Sequence, residues 1–195
     1  MIELAFIIGA YLLGSVSFGI LMSRVFGLPD PRTVGSGNPG ATNVLRSGKK
    51  AAAVLTLLGD AGKGWIAVLL AAHYGLAPWQ VCAVALAVFL GHLFPVFYRF
   101  KGGKGVATAL GVLLAISPWL GLCVLLTWAL AFGLWRYSSL AALAAAGLSP
   151  VYALLLLEYK GYALMTLILA LFMFWRHRGN IRKLLVGTES GFGKK

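Results

Sequence analysis

Residues 106–135 read VATALGVLLAISPWLGLCVLLTWALAFGLW, thirty consecutive positions without a single charged side chain or histidine. A bilayer core is crossed by roughly 20 helical residues, so this run has the length of a membrane segment and more. A second such run, Tyr137–Leu157, follows after the lone Arg136. Hydrophobic residues make up 60% of the 195-residue chain and charged residues only 11%. Soluble domains carry about 25% charged residues, and one of this size cannot hide so much apolar surface. The expectation is an all-α polytopic membrane protein, with residues 1–195 forming a single integral-membrane domain. No repeat at a fixed period and no linker composition divides the chain.

The formal charge of +12 invites a nucleic-acid partner, but its placement argues against one. The basic residues fall mainly in three short segments, Arg24 to Lys50, Arg99 to Lys104 and Arg176 to Lys195, each flanked by apolar sequence. That is the pattern of the positive-inside bias, and it suits attraction to anionic lipid or small anionic substrates. Cys82 and Cys123 lie inside apolar runs and form no metal-ligand or disulfide spacing, so they read as small buried hydrophobes. Residues 1–22 carry Glu3 and no Lys or Arg, with Arg24 after the apolar stretch. This reads as an uncleaved first helix rather than a signal peptide.

If the three basic segments share one side, an even number of helices separates each pair. Two helices fit between the first and second segments, near Val54–His73 and Pro78–Phe97. Residues 105–175 hold two or four, and breaks at Ser117-Pro118, Arg136 and Glu158–Gly161 favour four. With the first helix this makes seven transmembrane helices, the N-terminus outside and the C-terminus cytoplasmic. The seven-helix reading requires short fourth and seventh helices; five crossings satisfy the same parity.

Asp60 and Lys63 fall within the second helix. Taking its start at Val54, Asp60 sits about 9 Å along at ~1.5 Å per residue. The i, i+3 spacing puts both on one face. Two readings are open, an ion pair that fixes helix packing and a polar face opening to the cytoplasm. His92 lies near the end of the third helix, where a single histidine is more often a packing or hydrogen-bonding residue than a catalyst.

Three polar segments carry chemistry. In the first, 34–46, Gly35, Gly37 and Gly40 satisfy G-x-G-x-x-G without the strand-turn-helix setting of a dinucleotide fold. The loop physics survives without that fold: close glycines let backbone N–H groups converge on an anion. Ser36, Asn38, Thr42 and Asn43 add hydrogen bonds, and Arg46 can grip a phosphate with its fork. The second segment, Lys101-Gly102-Gly103-Lys104-Gly105, precedes Thr108 and opens a helix; it lacks the Ser or Thr that a Walker A lysine requires next. The third, residues 175–189, sets His177 and Asn180 among arginines and lysines, and histidine titrates in a range useful for proton transfer. Together they point to a phosphate-bearing, amphiphilic substrate on the cytoplasmic face.

GSGNPGATNVLR, GHLFPVFYRFKGGKGVAT and RHRGNIRKLLVGTE, in that order, closely resemble the bacterial acyl-phosphate:glycerol-3-phosphate acyltransferase (PlsY) family, and DAGKG at 60–64 is similar to a further family element. The resemblance runs through essentially the whole chain. It implies a seven-helix enzyme of the bacterial cytoplasmic (inner) membrane that transfers a fatty acyl group from acyl phosphate to the sn-1 hydroxyl of glycerol 3-phosphate. Lysophosphatidic acid and inorganic phosphate would be the products. The His-x4-Asp signature of other glycerolipid acyltransferases is absent: none of His73, His92 and His177 has an Asp five positions on. On this reading Arg46, Lys104 and Asn180 bind phosphate, while Ser36 donates to phosphate or to the developing oxyanion. The proton goes to His177 or to a phosphate oxygen of the substrate. Asp60, Lys63, His92, Thr108 and Ser139 are expected to support the site. The expected partners are glycerol 3-phosphate, long-chain acyl phosphate, the bilayer and, transiently, the enzyme that makes acyl phosphate. No nucleic acid, metal or cofactor is expected. A membrane transporter of an organic phosphate is the competing class.

Overall fold

The computed structural model describes residues 2–192, and among these every regular element is helical. The helices are α1 (Ile2–Ser15), α2 (Phe18–Val25), α3 (Ala41–Arg46), α4 (Lys50–His73), α5 (Pro78–Leu93), α6 (Val106–Ile116), α7 (Pro118–Trp135), α8 (Ser138–Leu156), α9 (Gly161–Arg176) and α10 (Arg178–Leu185), with a 3-10 turn at Val96–Tyr98. They pack as two compact units, Met1–Ile116 and Ser117–Lys195.

The breaks expected from sequence are helix boundaries with local causes. Pro78 and Pro118 each open a helix, where a missing N–H costs nothing. Ser117 caps α7, its side chain accepting the Leu120 N–H at 3.4 Å. Arg136 ends α7 in a left-handed conformation at φ 61°. Pro150 lies inside α8 and leaves the Ala146 carbonyl without its usual backbone donor; the Ser149 hydroxyl donates to that carbonyl at 2.9 Å.

In the first unit, helices approach through small residues. A Cβ on Gly64 of α4 would strike the Thr108 carbonyl of α6, and one on Gly111 of α6 would strike the Ala61 carbonyl of α4. α1 and α5 meet in the same reciprocal way, Gly14 against the Val88 carbonyl and Gly91 against that of Tyr11. In lipid, where burying apolar surface drives little, such backbone approach is the main source of helix association. The polarity of α4 is inverted relative to a soluble helix: Asp60 and Lys63 are buried while Leu57, Leu58, Ile66 and Leu70 are exposed.

α4, α7 and α8 are long and apolar enough to cross a membrane, as is the stretch Pro78–Tyr98 built on α5. α1 and α2 qualify only as a pair, bent by 42°. The first span was expected to be one helix over 1–22; instead it breaks at Val16–Ser17. The break exposes the Val16 carbonyl, which accepts from Lys63 Nζ at 2.7 Å. α6 and α9 are shorter, 11 and 16 residues. At ~1.5 Å per residue α6 is about 16 Å long, half of a ~30 Å core. α4 starts at Lys50 rather than Val54, so Asp60 lies about 15 Å along it, deeper than the sequence suggested.

Candidate active site

The first glycine segment is a loop wound around one amide. Asn43, 2% exposed, sits in the first turn of α3 and turns back toward the loop. Its Oδ1 accepts the Ser36 N–H at 3.0 Å, and its Nδ2 donates to the carbonyls of Pro31 (2.7 Å) and Val34 (3.1 Å). Gly35 and Gly37 take positive φ, 58° and 69°, as such a tight winding requires. Sequence reasoning placed Asn43 among the phosphate ligands; the structure employs its amide as a brace that holds Ser36 and the glycines in an exposed arc. Gly40 sits at the N-cap of α3, with Thr42 in its first turn and Arg46, exposed, in its last. Asn38 lies against Gly40, whose added Cβ would meet the Asn38 amide.

Before this loop, Arg32 forms a two-pronged pair with Asp30, Nε 3.0 Å from Oδ1 and a terminal nitrogen 2.7 Å from Oδ2. The hydrogen bond from Arg32 holds the Asp30 carboxyl below its ordinary range. The Arg32 guanidinium also lies over the Tyr98 ring at 5.7 Å. Tyr98 belongs to the 3-10 turn leading into the second glycine segment, so the two loops touch through this pair.

The second segment, 101–105, folds against the end of α5. The Gly103 N–H donates to the His92 carbonyl at 3.1 Å, and a Cβ on Gly103 would strike the His92 imidazole. A Cβ on Gly102 would meet the His92 carbonyl. The glycines here serve close approach. Lys101 is exposed and Lys104 half-buried. Arg99 and Phe100, just upstream, both take left-handed φ, 53° and 60°. Such residues cost about 1–2 kcal/mol each, so the turn is held by its surroundings.

Beneath both loops lies a buried charge cluster. Lys63 Nζ is 2.9 Å from Asp60 Oδ1, and His92 Nδ1 is 3.5 Å from the same oxygen. The Lys63 and Asp60 side chains are 1% and 3% exposed. Asp60 Oδ1 receives no hydrogen bond of good angle, so the contact with Lys63 is chiefly Coulombic. The ion pair, one of the two readings the i, i+3 spacing left open, is present, and His92 extends it. Each such group costs roughly 2.5–3.5 kcal/mol at a bilayer centre on insertion scales, which mutual pairing offsets. Thr108 is fully buried on α6, and neither its hydroxyl nor that of buried Ser17 finds a hydrogen-bond partner among the described residues.

In the second unit, His177 ends α9 and starts α10, 3% exposed. Its Nδ1 lies 2.8 Å from the Met173 carbonyl. A carbonyl only accepts, so Nδ1 carries the hydrogen and Nε2 of the neutral ring holds the lone pair. Glu189 joins two expected residues: its Oε1 accepts from the Ser139 hydroxyl at 2.6 Å and from Asn180 Nδ2 at 2.7 Å. The segment after α10 is secured further by the Phe192 N–H, which donates to the Arg136 carbonyl at 2.9 Å. Glu189 was read only as part of a basic tail. Its signal was that Glu189 is the single Asp or Glu after Glu158, one acid among many bases. Among the described residues no group of three or more His, Cys, Asp or Glu is arranged to hold a metal ion.

The sequence-predicted residues thus gather in two sets. Ser36, Gly35, Gly37, Asn38, Gly40, Thr42, Asn43, Arg46, Lys101, Gly102, Gly103, Lys104, Asp60, Lys63, His92 and Thr108 belong to the first unit; Ser139, His177 and Asn180 belong to the second.

The glycerol-3-phosphate acyltransferase family profile matches residues 4–187. The chain is 70% identical over 190 residues to a glycerol-3-phosphate acyltransferase of Methylobacillus flagellatus, covering 97% of each. It is 58% identical to that of Nitrosospira multiformis, covering 100% of this chain and 98% of the relative. Among solved structures it is similar to PlsY, an integral membrane glycerol 3-phosphate acyltransferase, in its glycerol 3-phosphate form, with a TM-score of 0.94, 42% identity, and coverage of 99% of this chain and 96% of that one. The lysophosphatidic acid form of PlsY gives a TM-score of 0.92 at 40% identity with the same coverage. The fold, the two glycine loops and the likeness over nearly the whole length agree: the chain belongs to the glycerol-3-phosphate acyltransferase family.

Proposed function

We propose that the protein is a membrane enzyme that transfers a fatty acyl group from acyl phosphate to the sn-1 hydroxyl of glycerol 3-phosphate, forming lysophosphatidic acid and inorganic phosphate for phospholipid synthesis. The observation that carries this reading is the whole-length likeness to PlsY in a glycerol 3-phosphate form and a lysophosphatidic acid form. The acyl phosphate donor is what the family resemblance implies, and the motifs suit it: two phosphates held near each other against their repulsion call for several cations and N–H donors.

An acyl phosphate is a mixed anhydride with a good leaving group. The glycerol hydroxyl attacks the acyl carbonyl, the bond from carbonyl carbon to phosphate oxygen breaks, and the hydroxyl proton passes to a base. No covalent enzyme intermediate is needed, so positioning and charge stabilisation are the protein's main contributions. Arg46 and Lys104 bind phosphate, as does Asn180, whose amide is oriented by Glu189. Ser36, held outward by Asn43, donates to phosphate or to the oxyanion. Two groups are candidates to take the proton, His177 Nε2 and a phosphoryl oxygen of the donor. The Nδ1 contact to Met173 favours the former, because it fixes the lone pair on Nε2.

The four long spans and the bent α1–α2 pair supply five crossings by length; counting the shorter α6 and α9 as crossings makes seven, and the charge placement favours a cytoplasmic C-terminus. The three basic segments then face the cytoplasm from the bacterial inner membrane, where acyl phosphate arrives from the bilayer or from the enzyme that makes it.

The test is product formation by purified protein given glycerol 3-phosphate with palmitoyl phosphate or, in parallel, palmitoyl-CoA, with chelator present. Lysophosphatidate from the acyl phosphate alone is the expected outcome. Product only from the CoA thioester would overturn the donor, and no product from folded protein would return the reading to an organic-phosphate transporter. In the same assay His177→Ala is expected to lower turnover about 10²-fold, the usual scale for a general base. Near-normal turnover would assign the proton to the substrate phosphate.

A further inference from the structure

We infer that the buried Asp60–Lys63–His92 cluster is a positioning device that sets the two glycine loops in register with each other. The inference rests on the function proposed above, in which those loops hold phosphates.

Two arms leave one turn of α4. The first runs through Lys63, which donates to the Val16 carbonyl at 2.7 Å, at the break between α1 and α2. α2 begins two residues on, and its first turn lies against the first loop: a Cβ on Gly19 would strike the Pro39 carbonyl. Phe18 packs on the same turn of α4, its ring filling the space over Gly59. Lys63 therefore fixes where α2 departs, and α2 fixes the wall of the loop 35–40.

The second arm runs through Asp60. Its Oδ1 lies 3.5 Å from His92 Nδ1, and the other side of that imidazole lies against Gly103. The His92 carbonyl accepts the Gly103 N–H at 3.1 Å, so ring and backbone of one residue locate the peptide next to Lys104. The first loop is thus referenced to Lys63 and the second to Asp60, and the two side chains are held 2.9 Å apart.

Packing alone does not call for this construction. A buried ion pair is commonly replaced by apolar residues of similar volume with no loss of stability, whereas removal of one partner leaves a stranded charge. What an apolar pair cannot supply is a hydrogen bond to a helix break on one side and a carboxylate charge set against an imidazole on the other. Two anions that repel must be held at a fixed separation, and small errors in that separation are costly to rate.

The experiment uses the full-length protein in lipid nanodiscs and measures KM and kcat for each phosphate substrate. The paired variant Asp60→Leu, Lys63→Met leaves no stranded charge. It is expected to remain monodisperse with wild-type thermal unfolding, and to raise KM for both glycerol 3-phosphate and palmitoyl phosphate about 10-fold. His92→Phe releases the second loop alone, so one of the two KM values is expected to rise and the other to stay. His92→Asn, which keeps a donor toward Asp60, is expected to recover most of that loss. A folded paired variant with both KM values within about twofold of wild type would overturn the inference. If the pair does not fold, the His92 variants decide: unchanged KM values in His92→Phe, or no recovery in His92→Asn, overturn it equally. Wild-type protein that forms no product fails the proposed function instead, so the two failures are distinguishable.

Discussion

The two glycine loops of the first unit look alike in sequence and are built on opposite principles. In the loop 35–40 the glycines supply backbone conformations that other residues resist, and a side chain, Asn43, reaches in to hold the result. In the loop 101–105 Gly102 and Gly103 supply thinness: they let the chain press onto the His92 carbonyl and ring. One loop is braced from within, the other is laid against a finished helix end. A run of glycines in a motif therefore names a need without naming which need, and substitutions separate the two.

The largest effect is expected at the internal brace. Asn43→Ala strands the Pro31 carbonyl and the Ser36 N–H, and leaves the Val34 carbonyl only the Gly37 N–H at 3.0 Å. Each buried polar group left unsatisfied costs about 1–3 kcal/mol, so kcat/KM should fall at least about 10²-fold in monodisperse protein. Asn43→Asp keeps an acceptor for Ser36 but cannot donate to either carbonyl, and it should be no better than alanine. Activity close to wild type in the aspartate variant would show that the amide is not the brace.

A smaller and more discriminating effect concerns the glycines themselves. Gly37 has no close neighbour, the Arg32 carbonyl lying at an ordinary 3.5 Å from an added Cβ, so only its φ is at issue. Asn tolerates the left-handed region; Val does not, at a cost of about 1–2 kcal/mol. Gly37→Asn should then retain activity within about threefold and Gly37→Val should lose about 10-fold. At Gly103 space is at issue, so Asn and Val should be equally damaging, about 10²-fold, by displacing the peptide beside Lys104. Equal ranking of Asn and Val at both positions would erase the distinction between the loops.

The smallest expected effect is on acidification. The Arg32 hydrogen bond holds the Asp30 carboxyl below its ordinary range, so its contribution to loop order is complete above that range and is lost as pH falls through the lowered value. Both side chains are 31% exposed, and solvent screening keeps the effect modest. Protection factors over residues 26–40, with the intrinsic exchange rate divided out, should fall below about pH 4 in wild type. In Asp30→Asn they should already be lower at neutral pH, with little further change; an unaltered profile in that variant would remove the pair from the account.

Much of the fold was legible before any coordinate. Ser117-Pro118, Arg136 and the stretch 158–161 announced helix boundaries because proline, a lone charge and a polar cluster act locally. Asp60 and Lys63 were legible as a pair because i, i+3 spacing is a property of one helix. The break at Val16–Ser17 was not, for its partner is Lys63, 47 positions away, and nothing apolar in residues 1–22 records it. The role of Asn43 was hidden for a related reason: an amide suited to a phosphate is equally suited to three backbone groups, and only the winding of the chain decides. Glu189 was missed because its partners, Ser139 and Asn180, lie 50 and 9 residues back.

The lysine at the helix break also bears on how the protein is made. Chains emerge from the ribosome N-terminal end first, so α1 and α2 are synthesised before α4. By the time Lys63 leaves the insertion machinery, the carbonyl it needs already exists, and Asp60 precedes it by less than one helical turn. His92 follows some thirty residues later, after its carboxylate has been committed to the bilayer. The order of the chain is thus an order of assembly in which each costly polar group meets a waiting partner, and a circular permutant that delivers α4 ahead of α1 should insert poorly even though its finished fold would be the same.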